Sequence, residues 1–388
     1  MAELASETHT PKKDTILNRT ASQLNSLPGW VPAAALAVIL SLTASAAFAQ
    51  DAGVPAAPAP QAPAAQSPAA APPSAPAPAP AAPVDPLPPV NPRFFTAPTP
   101  TVATVNSFLN QVWGSDTNRL WRVEGIQTTS APGVVKVTVF ITTKDPKAQL
   151  QAATFFVTPD GKHAIGEGAG GVVPFGATPF ADTRDLLKQR ANGAWRGAPG
   201  KDLELVEFAD LQCPHCKEVQ SVMDDIVKDF PKAHVVFQLF PLVEIHSSAF
   251  KAAAYGVCAQ KQSNDGFFKF AAGVFETQEG LSPTTDDTVL KAAAMRAGLN
   301  AEAIAACAAT QATKDIVNAD IKLAEDAGVE QTPMLSANGR LLPISGVSYE
   351  AIKQLIQFQA TLDGVDSGAT AETLAPKPEQ PKLTDLPK

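Results

Sequence analysis

Positive charge is in deficit in this chain: 30 Lys and Arg stand against 38 Asp and Glu over 388 residues, for a net charge of −8. A protein that grips nucleic acid ordinarily presents a basic face, so nucleic acid is excluded as the main partner. Cysteine is scarce. There are four, at Cys213, Cys216, Cys258 and Cys307, and they allow three pairings if all are oxidised. Charged side chains are absent altogether from residues 20–50. Large apolar side chains are almost absent from residues 51–92, which are nearly all Ala and Pro. A second CxxC knuckle is missing too, although Cys213 and Cys216 form a first one. What remains is 45% hydrophobic, enough for a sizeable core, and long enough for two domains.

The uncharged stretch has an apolar centre, VPAAALAVIL (31–40). Lys12, Lys13 and Arg19 precede it, and Ala47–Gln50 follows with the small residues a signal peptidase reads. Residues 1–49 are therefore expected to be a cleaved export signal. An N-terminal anchor is the alternative, because some thirty residues, including Glu3, Glu7 and Asp14, precede the apolar run. Either way, a periplasmic or other extracytoplasmic location is expected, where disulfide chemistry persists. The Ala/Pro segment (50–95) fixes φ and lacks donors, so it is expected to be an extended spacer.

Residues 96–195 carry the pattern of a small α+β domain. TVATVNSFLNQVW (101–113) has helical spacing at Val102, Val105, Phe108, Leu109 and Val112. Residues 133–143 are β-branched and strand-like, 153–168 form a hairpin turning at Asp160-Gly161, and 179–191 form a connecting helix. No catalytic cluster is visible there, and His163 reads as a solvated loop residue. The strands show no obvious exposed apolar seam.

From about 196 to 363 the pattern changes. LELVEFA (203–209) is a strand, and Val219, Val222, Met223, Ile226 and Phe230 share one helix face. Residues 233–240 form a second strand. A helical stretch follows at about 245–330, then Thr332-Pro333, a hairpin turning at Asn338-Gly339, and a final amphipathic helix (348–359). This order gives an α/β fold: a thioredoxin fold with a helical insertion, preceded by the small α+β domain and the linker. Residues 364–388 are expected to be a disordered tail.

Three readings of Cys213 and Cys216 compete. A structural staple fits poorly, because two intervening residues close a tight, easily reduced ring. A zinc site needs about four ligands, and no second knuckle is present, so no metal is expected. The redox reading fits best. Cys213 falls at a helix N-terminus, where the macrodipole and free N–H groups favour a thiolate, and His215 adds a donor beside it.

VEFADLQCPHC (206–216) closely resembles the active-site segment of DsbA-type thiol:disulfide oxidoreductases, whose cysteines also enclose Pro-His. Thr332-Pro333 is similar to that family's cis-proline loop, and the helical insertion falls where the family has one. The resemblance covers about residues 200–360. It implies that Cys213 attacks, Cys216 resolves, and Pro214 and His215 set how oxidising the pair is. It implies that Pro333, in cis, packs against the pair and that Thr332 offers its backbone to a substrate peptide. Glu207 sits where the family often has a buried acid, in a proton-transfer role towards Cys216. A solvent-facing edge-strand residue is the equal alternative. His246 reads as a helix-start residue and not as a catalyst. Several such relatives carry a second disulfide in the insertion, which makes Cys258–Cys307 the expected structural bridge. Two buried free thiols are the alternative.

The 96–195 region has a look similar to the N-terminal domain and linker of DsbC/DsbG-type isomerases, which dimerise through it. The resemblance as a whole implies an enzyme that forms disulfides in exported proteins. It needs no cofactor, and a DsbB-like membrane oxidase recharges it. A monomer is expected. A disulfide isomerase or reductase of the same fold is the alternative, and a peptide-binding chaperone without turnover is the reading from another class.

Overall fold

The computed structural model describes residues 89–166 and 171–369, which all fall in one compact unit, Pro78–Lys388. The expected signal or anchor (1–49), most of the spacer, and residues 370–388 of the tail lie outside the described residues.

The N-terminal part is one helix on an antiparallel sheet. Helix α1 (Val102–Trp113) is capped by the Thr101 hydroxyl, which accepts from the Thr104 N–H. Strands β1 (Arg119–Thr128), β2 (Val135–Thr143), β3 (Gln151–Val157), β4 (His163–Gly166) and β5 (Gly171–Pro174) form a five-stranded meander in chain order. Val105, Phe108 and Leu109 of α1 bury against Val123, Ile126, Val137, Val139, Phe155 and Val157. The boundary expected at 95/96 differs slightly, since Phe95 bridges Ile126 and packs on this core.

Period-2 alternation puts Phe155 and Val157 inward and Phe156 outward. Phe156 pairs with Ile165, and Ile165 with Val172. All three are exposed, so one short apolar row does cross β3, β4 and β5, where none was legible in the strands.

The second sheet is built by helix α2 (Ala181–Arg190), strands β6 (Ala194–Gly197) and β7 (Leu203–Ala209), helices α3 (Pro214–Glu218) and α4 (Gln220–Asp229), and strand β8 (Ala233–Leu239). Helices α5 (Ala249–Gln262), α6 (Asn264–Thr277), α7 (Asp286–Arg296), α8 (Ala301–Ala308) and α9 (Gln311–Asp326) form the insertion. Strands β9 (Met334–Ala337) and β10 (Arg340–Pro343) and helix α10 (Tyr349–Leu362) follow. The sheet order is β10-β9-β7-β8-β6, with β7 parallel to β8 and antiparallel to β9. This is the thioredoxin fold with a helical subdomain between β8 and β9.

The boundary expected at 195/196 is corrected. It cuts through β6, which pairs with β8, and α2 is no mere connector, because Leu187 and Ala191 bury with Val206, Phe208 and Val236. The end of the spacer's counterpart, the tail, also differs: residues 364–369 are described, and Val365 and Ala369 pack on the core beside α10.

Strand β7 is buried at all seven positions, so its two faces read as two cores. Leu203 and Leu205 face α4 and α10, while Val206 and Phe208 face α2 and α9. Asn338 and Gly339 both have positive φ, 46° and 89°, as the tight turn between β9 and β10 requires. In the insertion, α5 buries Ala249, Ala252, Ala253, Ala254, Gly256 and Ala259. Such small side chains let the other insertion helices approach it closely. Cys258 of α5 and Cys307 of α8 are joined by a disulfide, with Cα atoms 6.0 Å apart.

The two parts meet at Arg340. Its guanidinium lies over the rings of Phe180 and Phe358, donates to Gln359 Oε1, and donates to the carbonyl of Gln111 in α1. Gln354 of α10 donates to the Ser115 carbonyl at 2.9 Å. Arg340 stands at the Asn338-Gly339 end of β10, whereas Met334, at the other end of β9, pairs with Phe208 near the carboxyl end of β7. The C-terminal end of α1 is thus docked at the end of the thioredoxin sheet opposite the cysteine pair.

Candidate active site

The chain leaves β7 at Ala209, turns through Asp210, Leu211 and Gln212, and enters α3 at Pro214. Cys213 is the N-cap and Pro214 the first helical residue, where its missing N–H is no loss. Cys213 and Cys216 are both free thiols. Cys213 retains 4% of its surface and Cys216 none, so a reaction partner can approach only Cys213.

The Cys213 thiol is pulled down to about 5. The first cause is a hydrogen bond from the Cys216 thiol. Burial opposes it, and the neighbouring Thr332 and hydrogen bonds from the backbone N–H groups of Cys216 and His215 add to it. Cys216 moves the other way. Burial pushes its thiol up, and the neighbouring Cys213 sulfur adds to the effect. At neutral pH the proton therefore stays on the inner sulfur and the charge on the outer one. The His215 ring turns outward to Glu218 Oε2 at 3.0 Å, which raises its own pKa. Its part beside Cys213 is played by its backbone N–H and by long-range charge.

Thr332 and Pro333 are joined by a cis peptide. The fold brings this loop, 119 residues away in sequence, over the cysteines: Cys213 Sγ lies 3.8 Å from the Thr332 carbonyl oxygen. Glu207 lies beneath. It is 1% exposed, on the β7 face covered by α4 and α10. It is no edge residue, because β8 and β9 pair on either side of it. Burial raises its carboxyl to about 7, against the opposing pull of a 2.8 Å hydrogen bond from Gln220 Nε2. Gln220 also donates to the Cys216 carbonyl at 2.9 Å, at the break between α3 and α4. One side chain thus links the buried acid to the backbone of the inner cysteine. Its position, four residues after Cys216, was the available signal, since i and i+4 share a helix face.

Asp210 is the other residue that sequence reasoning missed, although it stands inside the motif. Its backbone N–H points at Cys216 Sγ, 3.4 Å away, and its carbonyl accepts from the Cys213 N–H at 3.0 Å. His246 faces its carboxylate. His163, by contrast, is not a loop residue but the exposed first residue of β4, paired with Pro174 and beside Asp160. Cys258 and Cys307 sit in the insertion, each sulfur 3.6 Å from Thr313 Oγ1, and take no part in the site. Among the described residues no group of three or more His, Cys, Asp and Glu could hold a metal ion.

Residues 189–358 match the thioredoxin family model. Similar solved structures include a thioredoxin-like oxidoreductase from Silicibacter pomeroyi, 22% identical, covering 45% of this chain and 95% of that one at a TM-score of 0.39. BdbD from Bacillus subtilis is 21% identical, covering 45% and 95% at 0.40. The catalytic domain of Proteus mirabilis ScsC is 20% identical, covering 46% and 98% at 0.38. Curated relatives bear another name. The Na(+)/H(+) antiporter NhaA 1 of Mycolicibacterium gilvum is 28% identical over 148 residues, 37% of this chain and 23% of that protein. NhaA 3 of Salinispora tropica is 25% identical over 145 residues, 37% and 21%. The chain spans less than a quarter of the length of these relatives. Among the described residues no helix is long and apolar enough to cross a membrane.

Proposed function

We propose that this protein is a thiol:disulfide oxidoreductase that works as an oxidase on cysteines of exported proteins. The observation that carries the reading is the unequal pair: an outer Cys213 thiol held at about 5 above an inner Cys216 thiol pushed up by burial. A low-pKa thiol is a good leaving group, so a protein whose outer sulfur leaves easily passes its disulfide on.

The exchange runs in two displacements. A substrate thiolate attacks Cys213 Sγ in the Cys213–Cys216 disulfide. The S–S bond breaks, and Cys216 leaves as a thiolate that takes a proton. Glu207, buried and holding a proton up to about pH 7, is the donor, and Gln220 holds it in place by donating both to Glu207 Oε1 and to the Cys216 backbone carbonyl. A second substrate thiolate then attacks the substrate sulfur of the mixed disulfide and expels Cys213 as a thiolate. Two electrons pass from the substrate dithiol to the pair. Thr332, whose carbonyl already lies over Cys213, offers backbone groups to the extended substrate peptide, with Pro333 shaping the loop. Reoxidation falls to a DsbB-like membrane oxidase. The contacts of α1 with Arg340 and Gln354, made away from the cysteine pair, support access of such a partner to Cys213.

The test is the equilibrium of the Cys213–Cys216 pair with glutathione, followed by mass spectrometry of trapped thiols. A potential well above that of thioredoxin, about −270 mV, is expected. A value in the thioredoxin range overturns the oxidase and leaves the reductase. No exchange at all leaves the peptide-binding reading.

A further inference from the structure

The Asp210 carboxyl is wholly buried, and three donors converge on it. Gln212 N–H donates to Oδ1 at 2.7 Å and Leu242 N–H to Oδ2 at 2.9 Å. His246 Nδ1 lies 2.7 Å from Oδ2, and in the tautomer that carries its proton on Nδ1 it is the third donor. The same residue touches both cysteines through its backbone: its N–H meets Cys216 Sγ and its carbonyl meets Cys213 N–H. The carboxylate is therefore an anchor for the very peptide groups that face the two sulfurs.

His246 holds that anchor from outside. It belongs to the Pro241–Ser248 segment between β8 and α5, which is bolted to the cysteine loop a second time where Ser248 N–H donates to Gln212 Oε1 at 2.8 Å. The His246 side chain is 18% exposed. It lines a cleft of about 710 Å³ with Gln212, Pro214, Lys217, Gln278 and Leu281, immediately beside Cys213.

We propose that Asp210 and His246 form a positioning pair that holds the Asp210 N–H on the Cys216 sulfur and thereby sets the oxidising strength of Cys213–Cys216. The inference rests on the thiol:disulfide exchange proposed above. An N–H donor stabilises the sulfur that carries more negative charge. In the dithiol form Cys216 keeps its proton and turns it towards the Cys213 thiolate, which leaves more negative charge on the Cys216 sulfur than a disulfide sulfur, a weak acceptor, carries. The hydrogen bond therefore favours the reduced pair, which makes the disulfide a better oxidant. Loosening the anchor should make the pair less oxidising.

The full-length chain and three variants are each equilibrated with glutathione. His246→Leu removes the donor, and Asp210→Asn places an amide where three donors converge. His246→Asn keeps a donor close to the Nδ1 position. His246→Leu and Asp210→Asn should each shift the equilibrium towards the disulfide about fivefold, or about 20 mV. His246→Asn should stay within about twofold of the parent. The double variant Asp210→Asn/His246→Leu should shift no further than either single one, because both act through one hydrogen bond. Asp210→Asn puts the fold at risk. The two His246 variants leave both backbone donors on the carboxylate and carry the test without it. A His246→Leu protein that matches the parent, or a His246→Asn protein that shifts as far as His246→Leu, overturns the pair. Failure of the parent itself to exchange with glutathione would instead overturn the exchange reading, and this inference with it.

Discussion

Glu207→Gln should stabilise the protein above pH 7 while slowing its exchange reaction. The carboxyl is 1% exposed, and burial moves it from an ordinary 4.5 to about 7. In the unfolded chain it loses its proton near 4.5. Between that pH and about 7 the folded state binds one proton more than the unfolded state, so stability falls as pH rises through this window. Above pH 7 both states are ionised, and the folded state bears a penalty of about 3 kcal/mol for the buried charge, as a ceiling. Glutamine has nearly the same shape, and its amide oxygen can accept the same 2.8 Å hydrogen bond from Gln220. The variant should therefore gain about 1–3 kcal/mol at pH 8, gain little at pH 4, and lose the pH slope between them. Urea unfolding at pH 4, 6 and 8, with both proteins in the same redox state, measures this. The exchange rate should drop at least about tenfold, because Cys216 loses its proton partner. A variant that is less stable at pH 8, or that keeps the parent's slope, would refute the assignment of a buried, half-titrated acid beneath the pair.

Alkylation of the reduced protein by iodoacetamide should occur at Cys213 with a midpoint near pH 5, rising with pH below that value and level above it, while Cys216 stays unmodified. A midpoint near 9 would show that Cys213 lacks its hydrogen bonds. Replacing Cys258 and Cys307 together by Ala opens a bridge between residues 49 apart, which the chain-entropy model values at about 4 kcal/mol. The unfolding midpoint should fall, with exchange at Cys213 unchanged. Equal stability, or both thiols found free in the parent digest, would dismiss the bridge as a structural element.

Much of the thioredoxin domain is visible in the sequence because each element announces itself locally. LELVEFA is β7 to the residue, and Asn338-Gly339 marks its hairpin by turn chemistry alone. Strand β1 is hidden for a physical reason. A bulge at Glu124 shifts the register between Val123 and Gly125, so the inward residues Val123 and Ile126 stand three apart and break the alternation. Strand β6 is four residues, AWRG, between Gly193 and Pro199. It is a strand only because β8 pairs with it. That pairing is also why the domain begins before residue 196.

The site divides along the same line. Cys213, Cys216 and Pro214 are adjacent in the chain, so their chemistry follows from helix geometry. Glu207 is different. Whether it is a solvated edge residue or a buried acid depends on β8 and β9 closing on both sides of β7, and no residue near it in sequence decides that. Asp210 and His246 are 36 residues apart, and their contact exists only because the chain leaving β8 folds back over the cysteine loop. An acid three residues before a CxxC reads as a turn residue until that return is known. The sequence motif thus supplies the two sulfurs, while the groups packed around them arrive from the central sheet pairing and from the segment entering the insertion. Substitutions in that segment, far from the motif in sequence, should therefore change the potential without touching a cysteine.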